Sequence, residues 1–558
     1  MATAENPLLR VLPQPRGEDN RGLILKHAAN ELVFAVVGHV GSGTSEIAKA
    51  LSESLEDRTL PGGHFIVTTL KASDVIIEWA RARGETIPDK GTQRLAYTTK
   101  LQDLGDQMRA AVTANGDPDH SAVAGRLILK IRESRAQQRG LPTDGVDPVL
   151  PDGARRAYIL DSLRHPAEVQ LLRHVYQDAF VLIGVVCEET QRLERLLAKY
   201  TEAGRGPLTE FMKRDAEAQE KHGQKVAKTF HLSDFFVDNT TSRWLAHNVT
   251  NPDWDTHEKL GRLVKILTHS TIVRPEMAEI AMHHAYGAMM QSSCLSRQVG
   301  AALVDRSGNI VATGTNEVPK AGGGVYGEWR PPEQALPNGT PNQRPQPPEP
   351  PLDDRCAYRR PGQEKFCSNT KEQNRMIEEL VADVPELKAL SNERKAGLLR
   401  ELRKTRIGSL LEFSRAVHAE MDALLSAARQ GISPAGTRLF VTTYPCHYCA
   451  RHLVTAGVDE VQYVEPYPKS QALELHDDAI QLSAKDWVPP SQGGTKVLFR
   501  PFSGVAPRLF GRAFLKDRDL KNSDTGVLEI GAPEWGTPWH LRKASYCELE
   551  AAIARTGI

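Results

Sequence analysis

Two short stretches, His418-Ala419-Glu420 and Pro445-Cys446-His447-Tyr448-Cys449, constrain this chain more than any other part of it. An imidazole and two thiolates are natural ligands of a tetrahedral metal ion, which gathers its donors within a few ångströms of one another. The chain must therefore leave His418 and come back. Apolar spacing from about Arg415 to Arg429, closed by Gly431, predicts a helix, and Arg438 to Thr443 predicts a strand, which together make that return path. A second helix starting near Pro445 sets Cys446 and Cys449 three apart at its beginning, where both thiolates face one way and the helix N-terminus favours their charge. One histidine and two cysteines leave a fourth position free for water, as in a catalytic zinc site. Glu420, two residues beyond His418, stands near the metal without having to bind it, where a proton shuttle belongs. A structural zinc knuckle or two buried cysteines is the competing reading. A lone Cys-x-x-Cys suits either, whereas the added His-x-Glu and Pro445 favour catalysis.

At 558 residues the chain is too long for one ordinary core, which predicts two domains with insertions. Basic and acidic residues balance at 70 each, so there is no electrostatic footprint for a long nucleic acid, and no nucleic-acid partner is expected. No apolar run approaches the roughly 20 residues that span a bilayer. The start, Met1-Ala2-Thr3-Ala4-Glu5, lacks the build of a secretion signal, and no membrane partner is expected. Seven cysteines, odd in number and widely spread, make no disulfide framework. They predict a reducing, cytoplasmic setting in which cysteines placed close together bind metal.

Residues 1–26, polar and holding Pro13, Pro15 and Gly17, read as a flexible tail. Leu32 to Val37 is the apolar, β-branched run of a buried parallel strand. It leads into Gly38-His39-Val40-Gly41-Ser42-Gly43-Thr44-Ser45 and a helical pattern from Glu46 to Leu55. Ala157 to Leu160, ending at Asp161, and Ala179 to Cys187 are further strands with helical stretches between. The alternation predicts a doubly wound α/β domain over residues 27–265. Gly38-x-x-x-x-Gly43 with Thr44-Ser45 fits the phosphate-binding loop (P-loop) frame, except that Thr44 stands where the frame has lysine. Gly38, Gly41, Ser42, Gly43, Thr44 and Ser45 are thus the candidate nucleotide-binding set, with Ser45 reaching a magnesium ion and Asp161 as the neighbouring carboxylate. The missing ammonium argues against efficient phosphoryl transfer. A degenerate domain kept for structure, or for sensing, is the alternative. The stretch Asp161-Ser162-Leu163-Arg164-His165-Pro166-Ala167-Glu168 resembles nucleoside-monophosphate and dephospho-CoA kinases, and Lys213-Arg214-Asp215 is read as a remnant of their lid.

The second domain covers residues 270–500. Pro275 to Met290 reads as helix, and strands at Val299 to Val304 and Ile310 to Thr315 are joined by the turn Arg306-Ser307-Gly308-Asn309. A strand at Glu460 to Val464 follows the metal ligands. Residues of about 320–405 interrupt the pattern as an insertion, rich in Pro and Gly from Gly322 to Pro351 and then charged. The charge run from Lys371 to Arg406 is a solvated helix face or an oligomer contact. Residues 501–558 read as a C-terminal extension.

His-x-Glu followed by Pro-Cys-x-x-Cys is the signature of zinc-dependent nucleobase deaminases. With Arg297-Gln298-Val299-Gly300-Ala301, Gly314-Thr315-Asn316-Glu317-Val318-Pro319, Val417-His418-Ala419-Glu420-Met421 and Thr443-Tyr444-Pro445-Cys446, the second domain resembles the cytidine and deoxycytidylate deaminase superfamily, more closely its deoxycytidylate branch. That resemblance, over about residues 270–480, implies a mixed five-stranded sheet flanked by helices and zinc-dependent attack of water on C4 of a cytosine nucleotide. It also implies Asn316 against the sugar or phosphate, Tyr444 beside the base and Arg297 on the phosphate. A plain turn residue for Asn316 and core packing for Tyr444 are the alternatives. Asp422 stands where the branch usually has Asn. A second, structural zinc, present in some members, would draw on Cys294, Cys356, Cys367, His283 and His284; incidental cysteines are the alternative, as for Cys187 and Cys547.

A P-loop-type domain joined to a deaminase domain resembles the bacterial anti-phage dCTP deaminases, as do Glu465 to Ser470 and Arg500 to Pro507. The resemblance implies conversion of dCTP to deoxyuridine nucleotides, depletion of dCTP during infection, and a homo-oligomer. Three alternatives stand beside it. One is a dCMP deaminase of pyrimidine metabolism. Another is a polynucleotide cytosine deaminase, which needs the aromatic–basic stripe this sequence lacks. The last is a non-enzymatic regulator, which the intact Glu420 disfavours.

Overall fold

The uninterrupted apolar run after Glu31 becomes a strand with every residue buried, as expected where both faces of a parallel sheet are covered. The computed structural model describes residues 28–60, 63–111, 116–216, 222–245, 249–327, 366–403, 405–410, 413–467, 470–516, 520–528, 542–543 and 545–555. The expected tail, the proline-rich part of the insertion beyond residue 327 and Cys356 lie outside the described residues. The chain divides into two units, Met1–Arg274 with Gly511–Ile558, and Pro275–Phe510.

In the first unit β1 (Glu31–Gly38), β2 (Ile66–Lys71), β3 (Arg156–Asp161), β4 (Phe180–Val186) and β5 (Phe235–Asp238) pair in parallel in the order β2-β3-β1-β4-β5. Helix α1 (Thr44–Leu55) follows β1 and buries Ile47, Ala48, Leu51 and Leu55, the i, i+4, i+8 stripe of a helix laid on a sheet. Of the C-terminal extension over 501–558, Gly511–Ile558 groups with this unit. Helix α2 (Tyr546–Arg555) places Tyr546 and Cys547 in the same core as Val33, Ala35 and Leu160.

The second unit is built on a mixed sheet of β6 (Gly300–Val304), β7 (Ile310–Thr315), β8 (Arg438–Thr443), β9 (Glu460–Glu465), β10 (Ile480–Gln481) and β11 (Val497–Pro501), in the order β10-β11-β9-β8-β6-β7. β6 runs antiparallel to both of its neighbours, and the other pairs are parallel. The resemblance implied five strands; the sixth, β10, is a two-residue edge too short to show a period in sequence. Helix α3 (Ala419–Arg429) begins four residues later than its apolar spacing suggests, because the Val417 N–H pairs with the Glu317 carbonyl at 3.0 Å and holds the chain extended up to His418. Ala419, Ala423 and Ala427 seat this helix on the sheet in the core that contains Leu439 and Val441. The seat is close: a Cβ on Gly314 of β7 would run into the Ala419 carbonyl and the Ala423 amide, so only glycine lets the helix approach there. Among the described residues no helix is long and apolar enough to cross a membrane.

Candidate active site

His418 is the residue that caps α3, and Cys446 caps α4 (His447–Thr455), so both metal-ligand motifs sit at helix N-termini. The Cys446 sulfur accepts from the Cys449 N–H at 3.5 Å, which turns both sulfurs to the same side. His418 Nδ1 lies 3.3 Å from Cys446 Sγ and 3.4 Å from Cys449 Sγ. The three donor atoms all fall within 4.8 Å of one another, close enough to share one tetrahedral ion, and they are thiolate and imidazole donors of the kind zinc takes. Both cysteines are buried and His418 is half-buried.

Glu420 occupies the first turn of α3, is 4 % exposed, and shares a hydrogen bond with Cys449. Burial pushes its carboxyl up to about 7, against the opposing pull of His418. Hydrogen bonding from Cys449, and then His418, brings the Cys446 thiol down to about 4 in spite of burial. The same Cys446–Cys449 hydrogen bond, with burial, holds Cys449 well above the usual thiol range. Burial works to lower His418, but its hydrogen bond to Cys446 and the nearby Glu420 charge raise it to about 9.

His418, Glu420 and Cys446 open on a cavity of about 220 Å³ that Asn316, Tyr444 and Arg297 also line. The structure thus brings the sequence-derived set together, with two qualifications. Asn316 uses both ends of its amide on backbone: Nδ2 donates to the Arg297 carbonyl at 2.6 Å, and Oδ1 accepts from the Val299 N–H at 2.7 Å. It shapes the wall. Arg297 is already paired with Glu465 at 3.4 Å and lies over the Tyr467 ring, so an anion there competes with a carboxylate. Tyr444 meets Tyr463 and Phe499 edge-on, which fixes its ring at the cavity margin.

Residues that sequence reasoning passed over hold this site in place. Glu317 is buried and accepts from the Ser293 N–H and hydroxyl, while its carbonyl takes the Val417 N–H next to His418. Its only sequence signal was its place beside Asn316. Asp422, at the position where the resemblance expects Asn, accepts from the Thr315 N–H at 3.1 Å. Ser368 and Asn369, just beyond the undescribed part of the insertion, join the cavity wall. Among the described residues Cys294, Cys367, His283 and His284 form no metal-holding group, and Cys356, the remaining candidate for a second zinc, lies outside them.

In the first unit, Gly43 precedes α1 with φ 87° and a Cβ there would strike Asn239, so the loop requires glycine at this point. Ser45 donates to Asp161 Oδ2 at 2.6 Å, and Ser162, itself at φ 75°, donates to Asp161 Oδ1 at 2.8 Å. Thr44 Oγ1 is 3.0 Å from Ser162 Oγ. Gly41, Gly43, Thr44, Ser45 and Asp161 line a cavity of about 900 Å³. Ser42 is buried behind the loop, against Gly38. The helix of Lys213-Arg214-Asp215, read as a lid remnant, places Phe211 and Asp215 on the wall of this cavity. Lys213 pairs with Glu210, Arg214 with Asp103, and buried Asp215 pairs with Arg164 and accepts from the Val40 N–H at 2.7 Å, buttressing the loop from behind.

A mixed sheet carrying one His, two Cys and a buried Glu at the mouth of a cavity defines a zinc-binding hydrolase site of the nucleobase-deaminase kind. Residues 275–465 match the family described as "Cytidine and deoxycytidylate deaminase zinc-binding region", so the second unit carries a domain of that family. The chain is 39 % identical over 67 residues to ComE operon protein 2 of Bacillus subtilis (strain 168), covering 12 % of this chain and 35 % of that protein. It is 26 % identical over 194 residues to the deoxycytidylate deaminase of Enterobacteria phage T4, covering 35 % of this chain and 80 % of that protein. The chain therefore spans only about a third of the length of the first relative. The crystal structure of dCMP deaminase from the cyanophage S-TIM5 in apo form is similar at 17 % identity and a TM-score of 0.21, covering 41 % of this chain and 100 % of that one.

Proposed function

We propose that the second unit hydrolytically deaminates a free deoxycytidine nucleotide, dCTP to dUTP and ammonia. The observation that carries this reading is Glu420, a buried carboxyl raised to about 7 beside a three-donor metal set at a cavity. A group poised there is suited both to take and to return a proton near neutral pH. When bound, zinc supplies Lewis acidity that lowers the pKa of a water at its open position. Glu420 accepts a proton as that water's oxygen bonds to C4 and passes it to N3; it then takes the proton of the C4 hydroxyl and gives it to the amino nitrogen, so that C4 becomes a carbonyl, the C4–N bond breaks and ammonia leaves. Tyr444 flanks the base, and Arg297 exchanges Glu465 for a phosphate.

The triphosphate is favoured by the presence of a P-loop-type unit in the same chain, the arrangement of the anti-phage dCTP deaminases it resembles. Depletion of dCTP during infection, a cytoplasmic setting and a homo-oligomer belong to that reading. So does a magnesium nucleotide on Gly41, Gly43, Thr44, Ser45 and Asp161. A second reading, dCMP as substrate, is favoured by the phage T4 relative, itself a deoxycytidylate deaminase. Incubating the purified full chain with dCTP, dCDP, dCMP, CTP and cytosine-containing single-stranded DNA, and assaying for uracil products, separates these. Product from dCMP alone selects the second reading, product from the DNA alone selects an editing enzyme, and no product from any nucleotide overturns the proposal. A Glu420→Ala variant that kept its activity would remove the mechanism.

A further inference from the structure

The cavity beside the phosphate loop carries more positive charge than its surroundings neutralise. Of the cations that line it, Arg164 is paired with Asp215, Arg109 with Glu168, and Arg94 donates to the Lys199 carbonyl and acts on Glu202, whereas Lys71, Lys90, Lys199 and Arg195 have no ion-pair partner among the described residues. Unneutralised charge gathered in a cavity of about 900 Å³, within a chain of zero net charge, calls for an anionic ligand.

These four are not equivalent. Arg195 donates to the carbonyls of Ser42, Asn239 and Thr240, so its N–H groups brace the loop and are committed. Lys90 and Lys199 lie over the rings of Tyr97 and Tyr200. Lys71 is exposed, with no hydrogen-bond or ring partner among the described residues. It ends β2 in register with Asp161 of β3, the residue that receives the Ser45 hydroxyl. The loop leaves β1, two strand spacings of about 4.8 Å from β2, and the four-carbon stem of Lys71 lines the same cavity as Gly41, Gly43 and Thr44.

We propose that Lys71 supplies the ammonium that Thr44 cannot, and that the first unit holds the polyphosphate of a magnesium nucleotide between its glycine loop and Lys71. This rests on the reading of the loop as a nucleotide site. Asp161 and Ser45 take the magnesium side, the loop amides take the phosphate oxygens, and Lys71 neutralises them from the β2 side. Arg195 contributes charge from behind the loop without direct contact.

Titration calorimetry of the full chain with magnesium ATP and with magnesium tripolyphosphate tests this. Lys71→Met is expected to weaken both ligands by about tenfold or more, the effect of losing a charge-assisted hydrogen bond. Lys71→Arg is expected to retain most of the affinity, and Lys199→Met to change it far less than Lys71→Met. Since Lys71 is exposed, neither Lys71 variant disturbs packing, and thermal unfolding checks that. If Lys71→Met binds like the wild type while Ser45→Ala is weakened, the Lys71 assignment is overturned and the loop reading stands. If Lys199→Met and Lys71→Met are equally weak, the charge acts as a diffuse field and the assignment is likewise overturned. If the wild type binds neither probe, the loop reading itself fails and the proposal goes with it.

Discussion

His418 Nδ1 stands 3.3 Å from Cys446 Sγ, and the protons held around this contact govern how the metal enters. Without metal near neutral pH, Cys446 is a thiolate at about 4, His418 is protonated at about 9, and Cys449 keeps its proton. Zinc takes only neutral imidazole and thiolate, so its binding displaces about two protons, one each from His418 and Cys449. Both of those groups are raised, so protons compete with zinc at every pH below about 9, and affinity climbs as pH rises through the neutral range. Titrating chelator-stripped protein with zinc in two buffers of different ionisation enthalpy measures the release. Fewer than one proton would contradict the assignment.

Asn316 ties down the Arg297–Val299 segment, and its removal is expected to act through that segment. Asn316→Ala leaves the Arg297 carbonyl and the Val299 N–H without their side-chain partner. The expected loss is about 1–3 kcal/mol of stability. Because Arg297 borders the cavity, KM for the nucleotide is expected to rise along with it. Thermal unfolding and steady-state kinetics on the same preparation give both numbers. A fall in kcat at unchanged stability would instead mark direct contact between Asn316 and the reacting nucleotide.

What the sequence made legible were features written within a few residues. Cys446 and Cys449 had to share a helix start, His-x-Glu had to straddle another, and Leu32 to Val37 had to be a buried strand. What stayed hidden depends on partners far along the chain. The start of α3 slips because Val417 bonds Glu317, a hundred residues earlier. That Asp215 accepts from the Val40 N–H, 175 positions away, has no local mark in Lys213-Arg214-Asp215. The resemblance alone sets Asn316 against the sugar or phosphate, and nothing in the local pattern marks the two backbone groups its amide ties together. Local pattern predicts elements well; it says little about which polar group each buried side chain will satisfy.

Gly314 connects sheet packing to metal binding. A methyl group at this position meets the Ala419 carbonyl and the Ala423 amide, both backbone atoms of the helix that begins just after His418. Relief requires α3 to move away from β7, and His418 and Glu420 move with it. Gly314→Ala is therefore expected to lower zinc content and activity at a temperature where circular dichroism still reports native secondary structure. Full zinc occupancy in a folded Gly314→Ala protein would show that the ligand set is not held by this contact.

Arg135 ties the returning chain end to the core of the first unit. Its guanidinium is fully buried, 2.8 Å from Glu31 and 2.6 Å from Glu550, and Tyr546 and Tyr176 donate to those same two carboxylates. Arg135 and two hydroxyls, with Arg156 a further 3.6 Å partner of Glu31, thus surround two buried carboxylates contributed by β1 and α2. Burial raises Glu31, but the charge of Arg135 opposes it, and Arg135 is the cation that pairs with both carboxylates. Arg135→Met keeps the stem and removes the charge, which leaves two acids facing each other in the core. Breaking a buried pair from one side costs roughly 3–5 kcal/mol. A double variant, Arg135→Met with Glu550→Gln, removes one of the stranded charges and is expected to recover part of that loss. Calorimetric unfolding of the full chain reads both, as a lowered first transition for the single variant and a partial return for the double. If the single variant unfolds like the wild type, the cluster does not hold α2 in the core, and the chain end is docked by Tyr546 and Cys547 packing alone.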